Sequence, residues 1–212
     1  MKGIVGTKLG MTQAFDETGR RHALTVVKAD PGVVVRMKKQ DVDGYSAILV
    51  GFDARDLRKI SRPSAGLFKK TLQTKTGYKI LKEYRVENPD EYKVGQEITV
   101  ELFSPGDMVD VRGRSIGKGF AGTIKRHHFG RGPMTHGSKN KREPGSIGTS
   151  ATPSRVNKGR PMPGHLGAVM TTTQRIKVFK VDPDNNLIFL IGSVPGPRNG
   201  TVTIRQTVKP KK

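Results

Sequence analysis

Gly117-Lys118-Gly119-Phe120-Ala121-Gly122, GKGFAG, has the spacing G-x-G-x-x-G. In a parallel βαβ unit, that spacing makes a tight turn whose glycines let backbone approach a pyrophosphate at a helix N-terminus. In an antiparallel chain the same glycines simply permit turns and close approach to an anion. The first reading gives an α/β nucleotide-dependent enzyme, and the second a β protein. The dinucleotide turn requires an acidic residue about 20 positions downstream, on the next parallel strand. The nearest downstream acid is Glu143, inside a basic run. The intervening HHFGRGPMTHGSKNKREPG, residues 127–145, has no strand pattern. The second reading follows, and no cofactor is expected.

The flanks agree with it. His22–Ala29 and Val33–Lys38 are Val-rich strand candidates, and Tyr45–Phe52 follows the turn pair Asp43-Gly44. Glu97–Phe103 and Asp107–Arg112 flank the turn SPG. Arg175–Val181, DPDNN and Leu187–Ile191 read as a hairpin, and Asn199-Gly200 precedes a strand at Thr201–Val208. Short strands separated by turn signals predict a mainly β fold with minor α, an antiparallel barrel or sandwich. Two short helices are expected. One is Pro63–Leu72, with Leu67, Phe68 and Leu72 on a face; the other is Lys118–His128.

Charge points to the partner. The chain carries 39 Lys and Arg against 18 Asp and Glu, a net charge of +21. Self-repulsion on that scale calls for a polyanion, with nucleic acid ahead of an anionic membrane. The absence of cysteine excludes disulfides and thiolate zinc sites. The longest apolar run, Leu187–Ile191, is far short of the ~20 residues that span a bilayer. The N-terminal MKGIVGTKLGMTQ does not read as a signal peptide. A soluble, cytoplasmic protein without a membrane partner is expected.

The positive charge is concentrated. Residues 112–167 hold 12 basic side chains and one acid, Glu143, with 12 of the 26 glycines and 5 of the 13 prolines. From about 127 to 167 no apolar period exists, so this stretch cannot enclose a core of its own. A long extended central arm is expected, ordered by contacts supplied from outside. The expected division is a discontinuous β domain, residues 1–112 and 168–212, and a Gly/Pro-rich arm, 113–167, with a short helix near 118–128.

Arg126, Arg131, Lys139, Lys141, Arg142, Arg155, Lys158 and Arg160 are the expected phosphate contacts, with Lys118 and Lys125 beside the glycines. His127, His128, His136 and His165 suit stacking or phosphate hydrogen bonds better than a metal. Adjacent His127 and His128 cannot readily share one tetrahedral ion, and no paired acid joins them. No metal is expected. Phe120 and Phe129 could stack on bases, although packing on the neighbouring domain is the preferred reading for Phe120. Met134, Met162 and Pro163 could wedge between nucleotides or bend the arm. There is no G-x-S-x-G elbow, and no small-molecule substrate is indicated.

Phe103, Asp110, Gly113, Ser115, Gly117-Lys118-Gly119, Gly122 and Arg126 keep every spacing of a long signature. On these residues the chain resembles the large-subunit ribosomal protein L-three family of bacterial type. KGIVGTKLGMTQAF, DGYSAILVGF, RGPMTHGS, PGSIG with RVNKGRPMPGHLG, and VPGPRNGTVTIR resemble it too, in order along the chain. The resemblance implies a translation-factor-like barrel on the subunit surface and a central arm that penetrates ribosomal RNA. It implies a non-enzymatic constituent that acts early in assembly. Its partners would be large-subunit (23S) rRNA and neighbouring large-subunit proteins. It places the arm tip near the peptidyl-transferase centre, over Gly145, Ser146, Ile147, Gly148, Thr149, Ser150 and on to Pro153. Where some members carry a methylated glutamine this chain has Thr149, so no modification is carried over. Two other readings remain: a nonspecific nucleic-acid-compacting protein, and a nucleotide-dependent enzyme using Gly117–Gly122.

Overall fold

β-Branched residues recurring at alternate positions place one face of each strand in an interior. The structure, a computed structural model, describes residues 2–209. Met1 and 210–212, which include the end of the basic tail, lie outside the described residues. The strands are β1 (Gly3–Phe15), β2 (Arg21–Lys28), β3 (Gly32–Lys38), β4 (Ala47–Asp56), β5 (Thr76–Arg85) and β6 (Glu97–Ile98). They continue as β7 (Met108–Arg114), β8 (Phe120–Ala121), β9 (Gly164–His165), β10 (Met170–Asp182), β11 (Leu187–Ile191) and β12 (Thr201–Gln206). Helices α1 (Gln40–Asp43), α2 (Arg62–Thr71) and α3 (Thr123–His127) are short.

The chain divides into two units, one of Met1–Arg114 with Met170–Lys212 and one of Ser115–Val169. In the first, six strands close a barrel in the order β1-β12-β7-β10-β11-β2, so no strand of it has a free edge. Beside it a second sheet runs β5-β4-β3-β6. Every strand pairing among the described residues is antiparallel. The parallel βαβ unit that a dinucleotide turn at Gly117–Gly122 requires is therefore not formed.

Alternation builds the interior. Ile188 and Leu190 of β11, Val202 and Ile204 of β12, and Val109 and Val111 of β7 point inward and are buried. They share one apolar cluster with Val34, Ile48, Val50 and Phe52 of the second sheet. Burying a side chain of this size contributes ~1.5–3 kcal/mol. One charged side chain of β7 is almost as hidden: Asp110, 6% exposed, lies on the face of the strand opposite to Val109 and Val111. The pairing of β10 with β7 shifts register between Thr173 and Ile176, and Arg175 there has φ of 57°. Its freed N–H donates to the Asp110 carboxylate at 3.0 Å. The signature acid thus satisfies a bulge, which explains why a carboxylate is tolerated with so little exposure.

Several expectations change. β1 carries few β-formers, yet it spans 13 residues because β12 and β2 pair with its two halves. β5 likewise had no strand signal strong enough to predict it. The strand expected at Glu97–Phe103 is cut to Glu97–Ile98, and Val100–Leu102 forms a 3-10 turn. That turn buries Val100 instead of continuing the alternation. The helix expected at Lys118–His128 begins only at Thr123. Gly119 takes φ of 65°, and Phe120 and Ala121 pair with β9. Phe120 does not pack on a domain: Ala121 takes the inward position of β8 and leaves Phe120 80% exposed.

Candidate nucleic-acid interface

Residues 115–169 begin and end on a backbone zipper. The Ser115 N–H donates to the Val169 carbonyl at 2.9 Å, and the Val169 N–H returns to the Ser115 hydroxyl at 3.2 Å. The Lys118 N–H reaches the Leu166 carbonyl at 2.8 Å, and the Leu166 N–H reaches the Gly119 carbonyl at 2.9 Å. β8 and β9 extend the zipper, with Phe120 opposite His165 and Ala121 opposite Gly164. The glycines serve this close approach. A Cβ on Gly167 would lie 2.1 Å from the Ile116 carbonyl oxygen, and Gly167 also has φ of 74°.

Beyond the zipper, α3 ends at His128, whose φ of 60° lets its N–H cap the Ile124 carbonyl at 3.0 Å. Arg126 and His127 turn onto the returning strand. Arg126 Nη1 donates to the Met162 carbonyl at 2.6 Å, and His127 Nε2 lies 3.0 Å from the same oxygen. Both side chains are half-buried. A Cβ on Gly164 would meet Arg126 Nη1 at 2.5 Å, so the glycine makes room for the guanidinium. His127 also lies 6.2 Å from Phe129, ring to ring. Met162 supplies its carbonyl to this clasp, a role for which a backbone oxygen leaves no mark in a sequence.

Two further loops are closed on themselves. The Gly132 N–H bonds to the Lys141 carbonyl at 3.2 Å, which holds His136, Lys139 and Lys141 on one loop with Arg131 and Arg142 just outside it. In the second, Arg160 Nη2 donates to the Ser146 carbonyl and Thr149 Oγ1 donates to the Thr152 carbonyl at 2.9 Å. Gly145, Ser146, Ile147, Gly148, Thr149 and Ser150 are all exposed, as are Arg155 and Lys158.

Burial and charge separate this region from ordinary loops. Only Ala121 and Thr123 are buried between 115 and 169. Ten Lys and Arg face a single acid there. No ion pair among the described residues involves any of the ten. Lys118, Lys125, Arg131, Lys139, Lys141, Arg142, Arg155, Lys158, His128, His136 and His165 are exposed. A row of unpaired cations on a backbone-stapled scaffold is suited to polyphosphate: each contact displaces a counterion, while the scaffold limits the entropy lost on binding. Among the described residues no group of three or more His, Asp or Glu could hold a metal. No helix among them is long and apolar enough to cross a membrane.

Comparison with known proteins adds a family. The profile described as Ribosomal protein L3 matches residues 72–186. The chain is 50% identical over 208 residues to the large ribosomal subunit protein uL3 of Pelotomaculum thermopropionicum, covering 98% of each. It is 52% identical over 212 residues to the protein of that name from Citrifermentans bemidjiense, covering all of this chain and 99% of the relative. Against that of Brachyspira pilosicoli the identity is 48%, over all of this chain and 96% of the relative.

Proposed function

The chain belongs to the ribosomal protein L3 family, and from that premise we propose that it is a structural constituent of the large ribosomal subunit that binds the subunit's RNA. The observation that carries the reading is the 115–169 unit, where ten cations, one acid and almost no core coincide. Such a segment gains little from its own interior and much from neutralising phosphate.

In this reading Arg131, Lys139, Lys141, Arg142, Arg155 and Lys158 contact backbone phosphates. Lys118 and Lys125 extend that surface to the zipper. Arg126, His127 and Arg160 hold the scaffold through carbonyls and offer their remaining donors to RNA. His128, His136 and His165 stack or hydrogen-bond. The segment acts as an arm that enters folded RNA, with Gly145–Ser150 reaching toward the peptidyl-transferase centre. Its small side chains let backbone approach RNA closely there and brace it. Insertion into RNA that is still folding makes the protein an early assembly component. Neighbouring large-subunit proteins complete its surroundings in the cytoplasm, and no reaction is assigned to the chain.

The test is binding to folded large-subunit RNA and to duplex DNA across a salt series. The intact chain is compared with one in which His127–Leu166 is replaced by a short linker. RNA-selective binding that weakens in the deletion, with the salt slope falling by ~0.7–0.9 per lost phosphate contact, is expected. Equal affinity for DNA and RNA would replace this reading with nonspecific compaction.

A further inference from the structure

The barrel-containing unit also carries an uneven charge, in a place the arm does not account for. Residues 53–85, which span the end of β4, α2 and β5, hold ten Lys and Arg against Asp53, Asp56 and Glu83. Residues 86–107, which include β6, hold six acids against Lys93 alone. The sheet order β5-β4-β3-β6 puts these segments at opposite edges of one sheet. At ~4.8 Å per strand the edges are ~14 Å apart. That exceeds the ~8 Å screening length at physiological ionic strength, so most of each edge presents its own sign. Glu97 does reach across, adding to the burial that raises the pKa of the Tyr78 hydroxyl.

The few acids on the basic side are already engaged. Glu83 binds Lys38 at 2.7 Å and accepts from the Tyr45 hydroxyl at 2.7 Å. Asp56 accepts from the Arg58 N–H at 2.8 Å. Asp53 holds Arg55 through two bonds, 3.1 and 3.2 Å, and lies 3.9 Å from Lys79. Lys59, Arg62, Lys69, Lys70, Lys75 and Lys82 are exposed and make no ion pair among the described residues. On this face is a depression lined by Arg55, Lys59, Lys79, Ser61, Ser64 and Tyr78, along with the apolar Ile60 and Leu81. Asp53 fixes Arg55 in place there, and the Ser61 hydroxyl donates to that of Ser64 at 3.1 Å. Cations and hydroxyls converging on one hollow match the acceptor oxygens of a phosphodiester.

We propose that the α2–β5 edge is a second RNA-docking surface, separate in sequence from the 115–169 segment, with its Arg55–Lys59–Lys79 hollow seating a backbone phosphate and the acidic β6 edge turned away from RNA. This rests on the reading of the chain as an RNA-binding constituent of the large subunit. The surface reads backbone only: no aromatic side chain on it is exposed for stacking on a base. It therefore orients the second sheet on structured RNA without selecting a sequence.

The experiment uses the full chain and folded large-subunit RNA, and reads the slope of log affinity against log salt. Two triple variants test the surface: Arg55→Gln, Lys59→Gln, Lys79→Gln, and Lys59→Gln, Lys69→Gln, Lys70→Gln. The second set lacks side-chain bonds in the free protein, so it guards against a folding defect in the first. Each should lower the slope by ~2–3 and weaken binding at low salt. Glu97→Gln with Glu101→Gln should leave the slope unaltered. An unchanged slope in both triples overturns the proposal and leaves these lysines as guards that keep an edge strand from pairing. An equal change in the acidic pair overturns it too, since net charge alone would then explain the effect. The arm deletion run alongside separates the two readings. If it weakens binding and the triples do not, only this surface falls.

Discussion

Val27, Val34, Ile48, Ile188 and Ile204 have no exposed surface, whereas between 115 and 169 only Ala121 and Thr123 are buried. The barrel unit encloses apolar side chains and pairs many of its charges, as in the contacts of Lys38 with Glu83, Arg36 with Asp43 and Lys2 with Asp107. Among the described residues the other unit has no such pairs, and Arg126 and Arg160 bond to carbonyls. One region is therefore stabilised by what it hides. The other is shaped by backbone hydrogen bonds and by glycines that let strands meet, and its charge stays at the surface. Of the net charge of +21, the 115–169 unit carries +9, ten cations against one acid, with almost no core of its own.

The contrast is open to attack, most strongly through the core. Ile204→Ala should destabilise the protein by ~2–5 kcal/mol, whereas Ile147→Ala in the exposed loop should stay within ~0.5 kcal/mol. Urea unfolding of both variants measures the gap, and comparable losses would mean that the loop region has a hidden core. Asp110→Ala comes next. It removes the charged acceptor of the Arg175 N–H at the bulge and should cost ~1–3 kcal/mol by the same method. Arg126→Ala removes the clasp on Met162. It should leave the unfolding midpoint almost unmoved while amide exchange at Lys118 and Leu166 quickens several-fold; unchanged exchange would show that the zipper holds without it.

The smallest effect is in acid. The Lys38 ammonium bonded to Glu83, helped by the Tyr45 hydroxyl, holds that carboxyl below its ordinary value. The Ser104 N–H, and to a lesser extent Lys2, do the same for Asp107. A depressed folded value means that the stabilisation is complete above the ordinary carboxylate range. It is lost as pH falls through the lowered values. Glu83→Gln should therefore flatten the decline of stability below about pH 4 and slightly lower the plateau above it. A pH series of urea midpoints checks this, and an unaltered acid limb would remove the pairing from the account.

Much of the barrel-containing unit was legible in the sequence because Val and Ile runs bounded by turn pairs report local geometry directly. β2, β3, β4, β11 and β12 lie where those runs predict them, and α2 lies on Pro63 and its apolar face. β1 was not legible. GIVGTKLGMTQAF has Gly3 and Gly6 where a partner comes close: added Cβ atoms would lie 2.4 Å from the Tyr84 ring and 2.6 Å from the Lys28 carbonyl. Such glycines weaken the strand signal while making the strand possible. In the basic segment the cations could be named in advance, since charge is a property of residue type. That Arg126 and His127 would share the Met162 carbonyl could not, because the pairing joins positions 35 and 36 residues apart.

Composition and order along the chain by themselves determined the β class, the concentration of positive charge between 112 and 167, and the family signature around Gly117–Gly122. Each is written in residue types and short spacings. Tertiary structure alone decided that six strands close into a barrel, that Asp110 accepts from the bulge at Arg175, and that acidic and basic segments take opposite edges of one sheet. Those outcomes depend on which distant strands pair and in what register. Pairing energy is set by the partner's side chains and backbone and not by the strand itself.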